Sequence, residues 1–337
     1  MVSPGSAPQH RDRLAQTILT QSAVMEPIFD QISLAAEYDV PVLLLGETGT
    51  GKELVARAIH DLSRRRNRAF VPINTGALAQ ELVESELFGH KKGAFTGAET
   101  NRVGAFQHSH LGTLFLDEVS TMVARLQVAL LRVIESHVVT PLGAGRGEHV
   151  DVRLIAATNS DLRRLVEQKK FREDLLYRLE VFSIHIPPLR MRLGDVKYLA
   201  ERFLELFAKK YGGENLKFSS DALSRMEAYS WPGNVRELKN IVERACISRR
   251  KDVLGVELLP PRLKVAAHRR ARVIRVAWGT PLAQVEKVLI ARTLEEVRGV
   301  LTKAARLLGI SEKSLRLKLR AHGLDRRGHP RTTPSRG

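Results

Sequence analysis

Residues 46–53 read Gly46-Glu47-Thr48-Gly49-Thr50-Gly51-Lys52-Glu53, between the apolar run Val42–Leu45 and a segment whose Leu54, Val55, Ala58 and Ile59 fall at helical spacing. A glycine-rich string between a buried strand and a helix is a phosphate cradle: the glycines let backbone N–H groups approach the phosphates, and the helix N-terminus favours their negative charge. Lys52 is placed to reach the β- and γ-phosphates, and Gly46 to Glu53 form the expected nucleotide-binding set. Glu53 stands where the general motif has Ser or Thr, the hydroxyl that usually helps hold Mg²⁺.

Downstream, Leu114-Phe115-Leu116-Asp117-Glu118 is an apolar strand ending in two carboxylates, at the sheet edge where open α/β folds bind ligands. Asp117 is the expected Mg²⁺ partner, and Glu118 the group that activates the attacking water. The two motifs in this order point to ATP hydrolysis, with ATP and Mg²⁺ as cofactors. Short apolar runs at Val42–Leu45, Phe70–Ile73, Leu114–Leu116 and Leu154–Ala157 are what buried parallel strands require. They alternate with amphipathic stretches, the pattern of an α/β sheet with helices on both faces, over residues 21–188.

The pair Pro187-Pro188 closes that region, and residues 189–259 turn wholly helical (Val196, Leu199, Phe203, Phe207, then 222–228, then 235–247), which predicts a small helical lid. Residues 1–20 are polar and read as a disordered lead, with no room for a regulatory domain; residues 260–281 read as a basic linker. Residues 282–325 return to helical periodicity, and 326–337 form a basic tail.

Between the two nucleotide motifs lies Gly93-Ala94-Phe95-Thr96-Gly97-Ala98. Gly93 and Gly97 permit sharp turns, and Phe95 has no obvious amphipathic neighbours to bury it. Two readings stand: an exposed aromatic built to touch a partner, or a tight surface turn with Phe95 tucked into the core.

No apolar run approaches the roughly 18 residues that span a bilayer, and residues 1–10 lack the apolar core of a signal peptide, so a cytoplasmic protein without membrane contact is expected. The one cysteine, Cys246, excludes an internal disulfide and predicts a buried, reduced thiol. Lys and Arg number 54 against 37 Asp and Glu, a net +17, and the 19 basic and 5 acidic residues from Pro260 onward carry +14 of it. Such asymmetry is the footprint of a nucleic-acid-binding module behind a nearly neutral catalytic body, or of a solvated basic tail. Within the cationic end, residues 304–308, the turn Gly309-Ile310-Ser311 and residues 312–321 have the form helix, short turn, helix, with Ser311 as N-cap. At about 100° per residue Lys313, Arg316 and Arg320 share one face and Leu315 and Leu319 another, so one face packs and the other is free for a major groove. An ordinary amphipathic hairpin with a solvated basic face is the alternative. Thr158-Asn159, after the strand Leu154–Ala157, is placed to sense a γ-phosphate or to make a turn. Arg172 and Arg178 are six apart and do not share a helix face; they read as surface salt-bridge residues or as fingers for a neighbouring subunit's phosphate.

From about Ser22 to Leu324 the chain resembles the bacterial enhancer-binding proteins, AAA+ activators of sigma-54 RNA polymerase. The resemblance rests on Gly46–Glu53 including Glu53 itself, on Glu86-Leu87-Phe88-Gly89-His90 leading into Gly93–Ala98, and on Trp231-Pro232-Gly233-Asn234-Val235-Arg236-Glu237-Leu238. It implies an AAA+ P-loop NTPase with parallel sheet and helical lid, followed by a small all-α Fis-type helix-turn-helix domain, without a receiver domain before Ser22. By resemblance Thr158 and Asn159 are the first sensor, Arg236 is the second and binds nucleotide, and Arg172 and Arg178 are fingers acting in trans. Asn74 corresponds to the partner that restrains Glu118, and Gly93, Ala94, Phe95, Thr96, Gly97 and Ala98 contact sigma-54. Lys313, Ser314, Arg316, Leu317 and Arg320 contact double-stranded enhancer DNA, and residues 282–296 supply dimer contacts.

The chain departs from the family pattern at Lys91 for an acid, Gln107 for Glu, Leu111 for Gly and Met191 for Glu. Thr140-Pro141-Leu142-Gly143 lacks an Arg, Val300 replaces Asn, and Glu312 and Leu317 stand where Arg is common. The expected function is that of an ATP-driven, oligomeric activator, from dimer to hexamer, that opens sigma-54 RNA polymerase closed complexes. The alternative is a regulator of ordinary promoters that keeps the fold without the remodelling.

Overall fold

The computed structural model describes residues 14, 17–76, 80–95, 98–213, 215–249, 251–266, 280–297 and 299–325. Strands β1 (Val42–Leu45), β2 (Phe70–Asn74), β3 (Thr113–Asp117), β4 (Arg153–Thr158) and β5 (Phe182–His185) form one sheet in the order β2-β3-β4-β1-β5, every pair parallel. Alternation along the strands splits the interior in two. Leu43, Leu114, Leu116, Leu154 and Ala156 point to one face, where they meet Leu126, Leu130 and Val133 of the helix Ala124–Ser136. Val42, Leu44, Phe115, Ile155 and Ala157 point to the other, against Ile28, Phe29 and Ile32 of Glu26–Glu37 and Val55, Ala58 and Ile59 of Lys52–Leu62. Both faces are covered, so the central strands had to be continuously apolar. Strand β5 is not among the expected runs: on the sheet edge only Ile184 is fully buried, and Phe182-Ser183-Ile184-His185 gives too weak an apolar signal.

Helices Asp195–Tyr211, Ser220–Ala228 and Asn234–Ser248 enclose a second core around Trp231, whose indole Nε1 donates to Met226 O at 2.8 Å. Cys246 is buried in that core, and burial raises its thiol pKa. The expected disordered lead needs correction where it is described: Leu14 and Ile18 are buried against the sheet's helical face, and Leu19 packs on the lid core. Apolar spacing of only two or three side chains in a polar stretch hid this segment. The expected linker is likewise partly ordered, since Pro261–Ala266 is helical with Leu263 buried; residues 267–279 and 326–337 lie outside the described residues.

The chain divides into two compact units at Arg269–Arg270. The second holds helices Leu282–Glu296, Leu301–Leu307 and Glu312–Ala321, which bury Ile290, Leu294, Leu301, Ala304, Ala305, Leu315 and Leu319 in one small core.

Candidate active site

The phosphate loop leaves β1 at Gly46 and enters the helix Lys52–Leu62 through Gly51, whose φ of 101° puts the N-cap in the left-handed region that favours glycine. No side chain caps this helix, so its first-turn N–H groups are available to an anion. Lys52 folds back over the loop, its Nζ donating to Gly46 O at 2.9 Å and Glu47 O at 3.2 Å. Burial lowers the Lys52 pKa, while the carboxylates of Asp117 and Glu118 act in the opposite sense.

The other end of the loop is held by the lid. Asn234 is wholly buried at φ 49°; its Nδ2 donates to Glu47 Oε2 at 3.2 Å and Thr48 O at 3.1 Å, and its Oδ1 accepts from Leu189 N at 2.8 Å. The amides of Val235 and Arg236 donate to Gly49 O at 3.0 and 3.3 Å. Any Cβ at Gly49 would collide with Gly233 O, so this approach of lid to loop requires glycine. Arg190 grips Glu47 with two bonds of 2.6 and 2.8 Å and holds its carboxyl below the usual carboxylate range. The Glu47 side chain, expected in the nucleotide set, therefore faces the lid hinge. Arg192 joins the same seam, donating to Pro187 O at 2.9 Å and Thr50 O at 3.0 Å. The sequence reading missed Asn234, Arg190 and Arg192 as a group; none belongs to a phosphate motif, and only the fold brings them to the loop.

At the end of β3, Asp117 pairs in register with Asn74 of β2. Asp117 Oδ1 accepts from Glu118 N at 3.0 Å, and Glu118 sits at φ 60°, a left-handed conformation costly for a non-glycine residue and common at functional sites. Thr75 stabilises it: its buried hydroxyl donates to Asp117 O at 3.1 Å and Glu118 O at 2.9 Å. Asn74 Oδ1 accepts from Gly76 N at 2.9 Å, and a Cβ on Gly76 would press on the Glu118 carboxylate. Asn74 and Glu118 thus adjoin the same glycine without being bonded to each other.

Of the pair at the end of β4, Asn159 reaches the loop, its Nδ2 donating to Thr48 Oγ1 at 2.9 Å, whereas Thr158, the last residue of the strand, is buried and its hydroxyl accepts from Ser160 N at 3.0 Å. Arg236 is exposed beside Thr48, on the wall of a groove of about 430 Å³ that Arg244 and Arg262 also line. Arg172 and Arg178 do not join this constellation: Arg172 pairs with Asp174 at 2.6 Å and Arg178 with Glu135 at 3.3 Å, both exposed. Next to the loop, an apolar cavity of about 90 Å³ is lined by Ile18, Leu19, Ile186, Leu199 and Phe203. The supposed lead contributes two of its walls.

The hexapeptide rides on a hairpin in which Gly89–His90 pairs antiparallel with Arg102–Val103. Phe95 is 38% exposed, with its ring edge-on to buried His90 at 5.0 Å between centroids; His90 Nδ1 in turn lies 2.7 Å from Ser85 Oγ. Gly93 turns at φ 81°, Ala98 is buried, and Thr96 and Gly97 lie outside the described residues.

In the second unit Ser311 caps Glu312–Ala321, its Oγ accepting from Ser314 N at 3.1 Å. Leu315 and Leu319 are buried, and Lys313, Arg316, Leu317 and Arg320 are exposed. Arg316 pairs with Glu312 at 2.6 Å one turn back; Ser314 is half-buried against Ser311.

Residues 18–185 match the family described as the sigma-54 interaction domain, 190–273 the AAA+ ATPase lid domain, and 281–322 the bacterial regulatory proteins of the Fis family. The C4-dicarboxylate transport transcriptional regulatory protein DctD of Pseudomonas aeruginosa is 44% identical over 93% of this chain and 66% of its own length. The regulatory protein AtoC of Escherichia coli K12 is 42% identical over 91% of this chain and 68% of its own. The chain thus spans about two thirds of the length of these relatives. NtrX from Brucella abortus, solved in complex with ATP, superposes with a TM-score of 0.68 at 30% identity, over 95% of this chain and 73% of that one. A glycine-rich loop gripped by its lid, an acidic strand end and a hairpin-borne hexapeptide thus sit in a chain that belongs to the sigma-54-dependent transcriptional activators, AAA+ ATPases carrying a Fis-type helix-turn-helix.

Proposed function

We propose that the protein activates transcription by coupling ATP hydrolysis in an oligomeric AAA+ ring to remodelling of the sigma-54 RNA polymerase closed complex, while its C-terminal helices hold enhancer DNA. The observation that carries this reading is the convergence of Lys52, Asp117, Glu118 and Asn159 at one sheet edge, with the Phe95 hairpin inserted in the chain between the two nucleotide motifs.

The site fits ATP and Mg²⁺ on its own terms. The uncapped helix start and Lys52 suit the phosphates, and the apolar cavity beside the loop suits a purine base. Among the described residues no three His, Cys, Asp or Glu side chains gather as a metal cage. Mg²⁺ would be held by the nucleotide's own phosphates together with the Asp117 carboxylate. Bound Mg²⁺ neutralises charge on the phosphates; the chain's residues do the rest. Glu118, adjoining Gly76 and Asn74, orients and deprotonates the attacking water. Asn159 links Thr48 to the end of β4 and senses the phosphate end, and Arg236 does so from the lid. Arg172 and Arg178, exposed and away from their own loop, complete a neighbour's site as fingers. Phe95 is the contact to sigma-54. Lys313, Arg316 and Arg320 face DNA phosphates, with Ser314 and Leu317 at the groove. No helix among the described residues is long and apolar enough to cross a membrane, and the protein works in the cytoplasm with its polymerase and DNA.

The reading is tested by permanganate footprinting of a sigma-54 promoter with the full chain, its enhancer DNA and ATP. Promoter melting that requires ATP and disappears in Glu118→Gln is expected; melting without nucleotide, or none with the wild-type chain under saturating ATP, overturns it.

A further inference from the structure

Two hairpins stand apart from the five-stranded sheet. The first pairs Gly89–His90 with Arg102–Val103 and carries the hexapeptide; the second pairs Val138–Val139 with Glu148–His149. The backbones are bonded where the first hairpin begins, Lys91 N donating to Leu142 O and Leu142 N to Gly89 O, each at 2.9 Å. At their bases a single side chain spans them. Gln107 Oε1 accepts from Gly104 N at 2.7 Å, immediately after the first hairpin, and its Nε2 donates to Glu148 Oε2 at 2.9 Å on the second.

We propose that Gln107 is a positioning residue that locks the two hairpins into one lever through its bond to Glu148; the inference rests on the remodelling function above for its consequence, though not for its geometry. The chemistry is specific to a carboxamide. Glutamate of the same shape can accept from Gly104 but has nothing to donate to Glu148, and would set two carboxylates against each other. Gln107 is also a position where the chain departs from the family pattern, and Thr140-Pro141-Leu142-Gly143 supplies no Arg that could pair with an acid there. The joint has little slack: a Cβ on Gly104 would strike the backbone of Leu87, Phe88 and Gly89, so the turn that Gln107 holds is fitted against the preceding helix. Gln107 stands in the short helix Ala105–His108, joined by the four residues 109–112 to β3, the strand that ends at Asp117 just before Glu118. A shift of that strand is therefore delivered to both hairpins together.

The test uses the full chain with two readouts, hydrogen exchange of residues 138–149 and ATP-dependent promoter melting. Gln107→Glu should speed exchange of the second hairpin by about ten-fold, the scale set by two carboxylates in close approach. It should depress melting similarly, with ATP hydrolysis unchanged. Adding Glu148→Gln reverses the polarity of the same bond and should restore both readouts, while Glu148→Gln alone, which still permits an amide–amide bond, should be mild. Wild-type exchange in Gln107→Glu, or a loss that Glu148→Gln does not rescue, overturns the proposal. A wild-type chain that fails to melt the promoter instead sinks the remodelling reading, and the exchange arm still decides the tie.

Discussion

Single residues in this protein carry strain where function or history placed it. Glu118 is held left-handed by Thr75 at the end of an otherwise regular strand, which aims its carboxylate past Gly76 rather than along the strand. Glu118→Gln keeps shape and nucleotide affinity but removes the base; turnover should fall by about 10²–10⁴-fold with ATP binding retained, measured by steady-state hydrolysis and nucleotide titration. Leu111 tells a different story. It adopts φ 61° where relatives are expected to carry glycine, and its side chain is 40% exposed. Leu111→Gly should relieve about 1–2 kcal/mol of left-handed strain against about 0.5–1 kcal/mol of added chain entropy, for a small net rise in thermal stability by calorimetry.

At the scale of elements, the lid and the phosphate loop are one joint. Asn234 satisfies three groups on two segments, so Asn234→Ala leaves Leu189 N unpaired in a buried place and should cost about 1–3 kcal/mol in chemical denaturation. It should also raise KM for ATP more than it lowers kcat, because the loop loses its positioning while Glu118 is untouched. In the second unit, Glu286 on the first helix receives Lys318 Nζ and faces His322 Nε2 at 2.9 Å, and both hold its carboxyl below the ordinary carboxylate range. A depressed carboxylate adds stability that is present above its unfolded pKa and lost as pH falls through its folded value. The tie between Leu282–Glu296 and Glu312–Ala321 should therefore loosen in acid, and Glu286→Gln should flatten that dependence in melts followed across pH.

How much of these elements was legible follows from what each advertises. Strands β1, β3 and β4 are buried on both faces and show as unbroken apolar runs; edge strand β5 needs only Ile184 inside and shows almost nothing. The phosphate loop and the Asp117-Glu118 pair are local strings, and so could be read. The clamp on Glu47 could not, because Asn234 lies 187 residues away and becomes its neighbour only when the lid folds. Ile18 and Leu19 were lost in a polar stretch for the same reason: their apolar partners come from the sheet and the lid.

For the whole molecule, the distribution of charge and the outward-facing arginines make one argument. The body before Pro260 is nearly neutral and the last 78 residues carry +14 of the +17, so the cationic charge is concentrated in and just before the second unit, where the Fis-family match lies. Neutralising Lys313 or Arg320 should weaken DNA binding and reduce its salt slope by about one unit each, measured by fluorescence anisotropy across salt. Arg172 and Arg178 are exposed and ion-paired to Asp174 and Glu135; with these two as the proposed trans fingers, Arg172→Ala should abolish hydrolysis in the assembled protein, and mixing it with Glu118→Gln should restore activity at the mixed interfaces that pair an intact finger with an intact base. In the proposed function, hydrolysis is converted to work through the Phe95 hairpin. The most direct test of that conversion is promoter melting by Phe95→Ala beside the wild-type chain, with ATP hydrolysis measured in the same reactions. Wild-type hydrolysis with melting lost is expected; a Phe95→Ala protein that melts the promoter as well as the wild type would overturn this role of the hairpin.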